Sequence, residues 1–187
     1  MSHDFAKSLA ASHAAEDLPF WREVYERAFP TMQTMLNHRD DGQHQRNGID
    51  RSVILSNSKQ ILIDEKVRWR NSKTGVVYED ILLEFLSDRD ANSPGWVCKP
   101  LLCDYIAYAI APLGRCYLLP VLQLQAVWAK KKTEWLRRRH LPAENLYRGR
   151  RWVTLSVAVD PQELFPLIGQ MLRVSFTEQE ELPCVSS

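Results

Sequence analysis

The chain has 187 residues, 45% of them apolar and 25% charged, with a formal net charge of +1. That length buries a substantial core without disulfides or metals, so a single globular domain over residues 1–187 is expected, and a disordered or disulfide-framework class is not. No apolar run approaches the ~20 residues that cross a bilayer, and residues 1–15 lack the apolar stretch of a secretory signal, so no membrane association and a cytoplasmic location are expected.

Taken in order, the chain begins with a loose end, about 1–15. Asp17 is placed to cap a helix whose early Pro19 is tolerated in the first turn, with Trp21, Tyr25, Ala28 and Phe29 as its apolar stripe and Pro30 as its end. Residues 37–47 read as a polar loop around the turn Asp40-Asp41-Gly42, and the flanking His38 and His44 read as ordinary surface histidines ahead of a metal or general-base role. Ile49 to Leu55 and Gln60 to Trp69 form a hairpin across Asn57 and Ser58, and Tyr78 to Leu86 reads as a third strand. Glu84 lies within that third run, and its face depends on a register that a one-residue slip reverses.

Trp96 is expected to pack on the sheet after a loop over 88–95. Tyr105 to Ala111 and Cys116 to Val121 make a second hairpin around Pro112-Leu113-Gly114. From about Leu122 to His140 the period changes to a helix carrying Leu124, Val127, Trp128 and Trp135, which Pro142 breaks. Trp152 to Val159 is a further strand, Asp160-Pro161 starts a helix through Leu172, and the remainder, about 175–187 at its end, reads as loose. The fold class is α/β, a central mixed and largely antiparallel sheet flanked by helices.

Cys98, Cys103, Cys116 and Cys184 have no zinc-type spacing, and the first three are expected to be buried, reduced thiols. Positive charge gathers at Lys130, Lys131 and Lys132, at Arg137, Arg138, Arg139 and His140, and at Arg148, Arg150 and Arg151. Such a segment can serve as an electrostatic footprint for phosphate backbones or stand as a solvated helix face. Glycine-rich phosphate loops, a nucleophile-elbow serine and a zinc-binding histidine pair are absent.

The most informative stretch is Gly48-Ile49-Asp50 followed by Ile61-Leu62-Ile63-Asp64-Glu65-Lys66-Val67-Arg68. A strand alternates its side chains, so Asp64 and Lys66 share one face and Glu65 takes the other. If the first run pairs beside the second, Asp50 joins Asp64 and Lys66. The pattern resembles the PD-(D/E)XK nuclease superfamily, in which an acid on one strand precedes acid-x-lysine on the next. Asp50, Asp64 and Lys66 match that motif, and Ile49 stands where a proline often precedes the first acid.

The resemblance implies a restriction-endonuclease-like core and a metal-dependent nuclease hydrolysing phosphodiester bonds in DNA, with Asp50, Asp64 and Lys66 as its catalytic set. It implies Mg²⁺ or Mn²⁺ held by Asp50, Asp64 and the Glu65 backbone carbonyl, with Glu23 or Glu26 of the first helix as an additional ligand candidate. Lys130, Lys131, Lys132, Arg137, Arg138 and Arg139 would then bind nucleic acid, and duplex cleavage would call for a homodimer, a partner or two encounters. A bulge would let Glu65 replace Asp64. The same residues also fit a charged sheet end with an Asp–Lys ion pair, or a non-catalytic module on a nuclease-like fold that binds nucleic acid or protein.

Overall fold

A computed structural model describes residues 3–4, 18–38, 40–71, 74–147 and 149–178. In chain order the elements are β1 (His3–Asp4), α1 (Phe20–Ala28), β2 (Met32–Asn37), α2 (Gly42–Arg46), β3 (Arg51–Leu55), β4 (Gln60–Arg68), β5 (Ile81–Asp88), β6 (Ser93–Pro94), β7 (Tyr105–Ile110), a 3-10 turn (Ala111–Leu113), β8 (Arg115–Pro120), α3 (Val121–Trp135), β9 (His140–Tyr147), β10 (Arg150–Val159), α4 (Pro161–Ile168) and β11 (Leu172–Ser175). Asp17, Arg148 and Cys184 lie outside the described residues. Among the described residues, no helix is long and apolar enough to cross a membrane.

The protein is mixed α/β, but its strands divide between two sheets rather than one central sheet. They belong to two compact units, one formed by Met1–Ser12, Asp80–Pro100 and Leu122–Gly169, the other by His13–Glu79, Leu101–Val121 and Gln170–Ser187.

The second unit holds a six-stranded sheet in the order β11-β8-β7-β4-β3-β2. The β3–β4 hairpin follows from alternating apolar residues and a turn in which Asn57 Oδ1 accepts the Lys59 amide at 3.0 Å. The β7–β8 hairpin is likewise antiparallel, whereas β4 and β7 run parallel with Asp64 opposite Ile106 and Lys66 opposite Tyr108. Parallel neighbours cannot be joined by a tight turn, and the chain passes through β5 and β6 before returning as β7.

On one face of this sheet Val53, Ile63, Ala107, Ala109, Cys116 and Leu118 pack with Phe20, Trp21, Val24 and Tyr25 of α1. The α1 residues recur at helical spacing and are all buried, each contributing roughly 1.5–3 kcal/mol of apolar transfer. The helix ends where the Phe29 amide closes on Tyr25 O at 2.8 Å, one residue before Pro30.

Two expectations change here. The polar loop expected over 37–47 contains the short helix α2, and it follows a strand over 32–37 that forms, although MQTMLN is poor in β-branched residues, because the edge of β3 supplies the partner. The segment expected to be loose after the last helix is ordered through Glu178: β11 pairs with β8, Phe176 is buried, and its amide bonds Gly114 O at 2.7 Å. Gly114 has φ +52°, and a Cβ there would lie 2.2 Å from Phe176 O. Gly114→Ala is expected to destabilise by about 1–3 kcal/mol, read as a lower urea midpoint with an unchanged slope.

The first unit holds a five-stranded sheet in the order β1-β9-β10-β5-β6, with α3 and α4. The run expected as a third strand of the hairpin sheet is β5, and it pairs here with β10. Its register places Glu84 opposite Ser156, on the face shared with Leu82 and away from the fully buried Ile81 and Leu83. The helix expected to run to about His140 stops at Trp135, and Pro142, expected to break it, lies instead within β9 opposite Leu155. Asp160 caps α4 by accepting the Gln162 amide at 2.7 Å, and the helix stops at Ile168, short of Leu172. Cys98 is exposed rather than buried, while Cys103 and Cys116 are buried free thiols.

Candidate active site

The β3–β4 hairpin builds the site in the second unit. Arg51 lies opposite Ile63, and continuing that ladder by one pair sets Asp50 across from Asp64. Asp50 is fixed at both ends: its amide donates to Ile63 O at 2.9 Å, and its Oδ2 accepts the Glu65 amide at 2.8 Å. The Asp50 carboxylate is consequently near enough for its charge to act on the Asp64 carboxyl. Lys66, two residues along the same face, donates its Nζ to Asp64 Oδ1 at 2.6 Å and approaches the Glu65 carbonyl at 3.4 Å.

Asp64 is 4% exposed, whereas the Lys66 side chain retains 30% exposure. The acid is therefore buried while the amine keeps access to solvent. Burial pushes the Asp64 carboxyl up to about 7; the Lys66 charge opposes this and the Asp50 charge adds to it. The second oxygen, Asp64 Oδ2, is buried and receives no hydrogen bond from any described residue. Lys66 supplies one positive charge to the two neighbouring acids, and the buried Oδ2 keeps capacity for a further proton or cation. The residues present fit a hard divalent metal held by Asp50, Asp64 and the Glu65 carbonyl.

Glu65 resolves the ambiguity between the adjacent acids. Its side chain takes the opposite face, is 2% exposed, and accepts Arg51 Nε at 2.6 Å and the Tyr25 hydroxyl at 2.6 Å. Burial raises the Glu65 carboxyl while Arg51 and Tyr25 work against that rise. Burial, reinforced by Glu65, holds the Tyr25 hydroxyl far above its usual range, so it remains a donor. Arg51 and Tyr25 are the partners the sequence reading passed over. The available signal was parity, since Arg51 alternates with Ile49 and Val53 and therefore faces the core.

The remaining candidates are placed elsewhere. Glu23 pairs with Arg27 at 2.7 Å and accepts the Thr177 amide at 3.1 Å. Glu26 forms an exposed i,i+4 pair with Arg22 at 3.5 Å. Cys103 is buried, and burial together with the Asp64 charge pushes its thiol up to about 12, so it stays protonated. His38 follows β2, its amide donates to Asp50 O at 2.9 Å, and its Nε2 lies 2.7 Å from Ser52 Oγ. His38, Asp50 and Asp64 thus occupy one row across three neighbouring segments of chain.

Comparison with protein-family models, curated proteins and solved structures finds no match for this chain. The functional reading rests on the residues themselves.

In the first unit, Lys130, Lys132, Arg137 and Arg139 are exposed. Lys131 pairs with Glu134 at 2.8 Å. Arg138 differs: it grips Glu163 through two bonds of 2.7 and 2.8 Å, and the Trp135 indole donates to the same carboxylate at 2.7 Å. That guanidinium ties the end of α3 to α4.

Proposed function

We propose that this chain is a metal-dependent nuclease that hydrolyses phosphodiester bonds in DNA, built on a restriction-endonuclease-like core. The observation that carries the reading is the meeting of two carboxylates and an ammonium on one strand pair, with Asp64 Oδ2 buried and without a donor. The order of helix, strands and acid-x-lysine step supports the resemblance, and the DNA preference comes from the resemblance alone.

Asp50, Asp64 and the Glu65 carbonyl would hold Mg²⁺ or Mn²⁺. When bound, the ion would neutralise phosphate charge and lower the pKa of attacking water. Asp64 must give up its proton to serve as a ligand, so activity rises as pH passes through about 7. Lys66 keeps its ammonium at the open side, where it can donate to a phosphate oxygen or orient the attacking water while charge develops in line. Arg51 and Tyr25 act through Glu65, fixing the strand that carries both Asp64 and Lys66.

The test is incubation of the purified chain with supercoiled plasmid, single-stranded DNA and RNA in Mg²⁺, Mn²⁺ or chelator. Metal-dependent nicking of DNA is expected. Binding with no cleavage of any form would replace this reading with a non-catalytic module. One compact site cuts one strand, so linear product should appear only where two copies act together, as a homodimer or in successive encounters.

The exposed cations give a separate prediction. Replacing Lys130, Lys132, Arg137 and Arg139 with alanine should reduce the slope of log affinity against log salt on duplex DNA by about 3–4. Arg138→Ala should instead lower the urea midpoint, because it breaks the Glu163 tie.

A further inference from the structure

We propose that His38, Asp41 and His44 form a second metal site, taking a divalent transition ion of zinc's class and independent of the Asp50–Asp64 pair. One ligand atom from each residue lies within 4.8 Å of the other two. The donors arise from three local devices: the end of β2 carries His38, Asp41 caps the following turn by accepting the Gln43 and His44 amides at 2.9 and 3.1 Å, and α2 carries His44.

Two imidazoles and one carboxylate are the donor set of zinc and its neighbours, whereas Mg²⁺ selects oxygen. Zinc–ligand bonds of about 2.0–2.1 Å place tetrahedral donors about 3.3 Å apart, so the cluster must contract by about 1.5 Å. Asp41 is exposed and His44 half-buried, so both side chains border solvent. The imidazoles lie face to face, their planes 6° apart and centroids separated by 4.0 Å, so binding requires one ring to turn until its in-plane lone pair meets that of the other at the ion.

The surrounding bonds specify which atoms bind. Ser52 Oγ engages His38 Nε2 at 2.7 Å and itself accepts Gln60 Nε2 at 2.7 Å, leaving His38 Nδ1 for the ion. His44 Nδ1 and Asp41 Oδ2 stand 2.7 Å apart with a proton between them. Metal binding at Nδ1 shifts that proton to His44 Nε2, and both atoms become ligands. The cleft bounded by Asn37, Asp40 and Gly42 leaves the fourth position to water. Such an ion would clamp the end of β2 to the turn that leads into Asp50.

The experiment is done in the Asp64→Asn background, where the carboxylate pair is disabled and a failed nuclease assignment has no bearing. Zn²⁺ titrated into chelator-treated protein is expected to bind at one equivalent and to shift the imidazole NMR signals of both His38 and His44. Ser52→Ala should weaken binding about 10–100-fold, and His44→Ala or Asp41→Asn by more. The far-UV spectrum of each variant checks that the fold is intact, Asp41 and His44 lying at the surface and Ser52 buried. Absence of Zn²⁺ binding in the Asp64→Asn protein, or affinity unchanged in both His44→Ala and Asp41→Asn, would overturn the site.

Discussion

Asp64→Asn is expected to abolish metal-dependent DNA cleavage while leaving the folded protein more stable above pH 7. The loss of rate should be on the order of 10³-fold, because the amide removes both a hard anionic ligand and the charge that holds the Lys66 ammonium. The gain in stability has a different origin. Burial raises this carboxyl from 3.8 to about 7, so the folded protein binds its proton more tightly than the unfolded chain does. Its contribution to stability is complete below about pH 4 and is lost as pH climbs through about 7. At pH 8 the ionised form carries a penalty on the order of 4 kcal/mol at ~1.4 kcal/mol per pH unit. Asparagine removes that penalty, which already includes the Lys66 attraction, so a gain of up to about 4 kcal/mol is expected. Urea titrations at pH 4 and pH 8 check this: the two proteins should nearly coincide at the lower pH, where Asp64 is largely protonated in the folded and the unfolded chain alike, and separate at the higher. A variant that loses activity and stability together at pH 8 would show that Asp64 is there to hold the fold.

Arg51→Ala is expected to destabilise the protein by about 3–5 kcal/mol, the cost of leaving a buried carboxylate without its counter-charge. Glu65 is 2% exposed and Arg51 5%, so water cannot replace the guanidinium. The Tyr25 hydroxyl at 2.6 Å satisfies only part of the exposed demand. The deficit should shrink as pH falls from 7 to 5, because a protonated Glu65 no longer needs a cation. Arg51→Met combined with Glu65→Leu should recover most of the stability, since neither charge then remains to be solvated. Urea midpoints of the three variants at both pH values give the comparison. Arg51→Lys is not conservative here: one ammonium cannot reproduce bonds from Nε to Oε1 at 2.6 Å and from a terminal nitrogen to Oε2 at 3.3 Å.

These two residues sit on opposite faces of one strand pair, and that division bears on the whole site. The even-numbered face of β4 carries Asp64 and Lys66, and the odd-numbered face packs Ile63 against α1 and buries Glu65 beside Tyr25. A chemistry-bearing face is thus held by a core-bearing face one residue out of phase. Alternation is the device that lets a short segment do both.

That alternation is local, and so it was legible from the chain alone: the β3–β4 hairpin, the parity of Asp64 with Lys66, the β7–β8 hairpin around Gly114 and the Asp160 cap all follow from residues a few positions apart. What lay beyond it depended on partners distant in sequence. Asp50 reaches Asp64 only through the register of the hairpin. β4 meets β7 only after the chain has passed through another sheet, which also claims β5 in place of the expected third strand. β2 and β9 read poorly as strands because weak β-formers and Pro142 obscure them, yet each has a neighbouring ladder to complete. Side-chain period belongs to the backbone of a single strand and can be counted. Which edge that strand meets is decided by apolar burial across the whole unit, and only the tertiary structure records that choice.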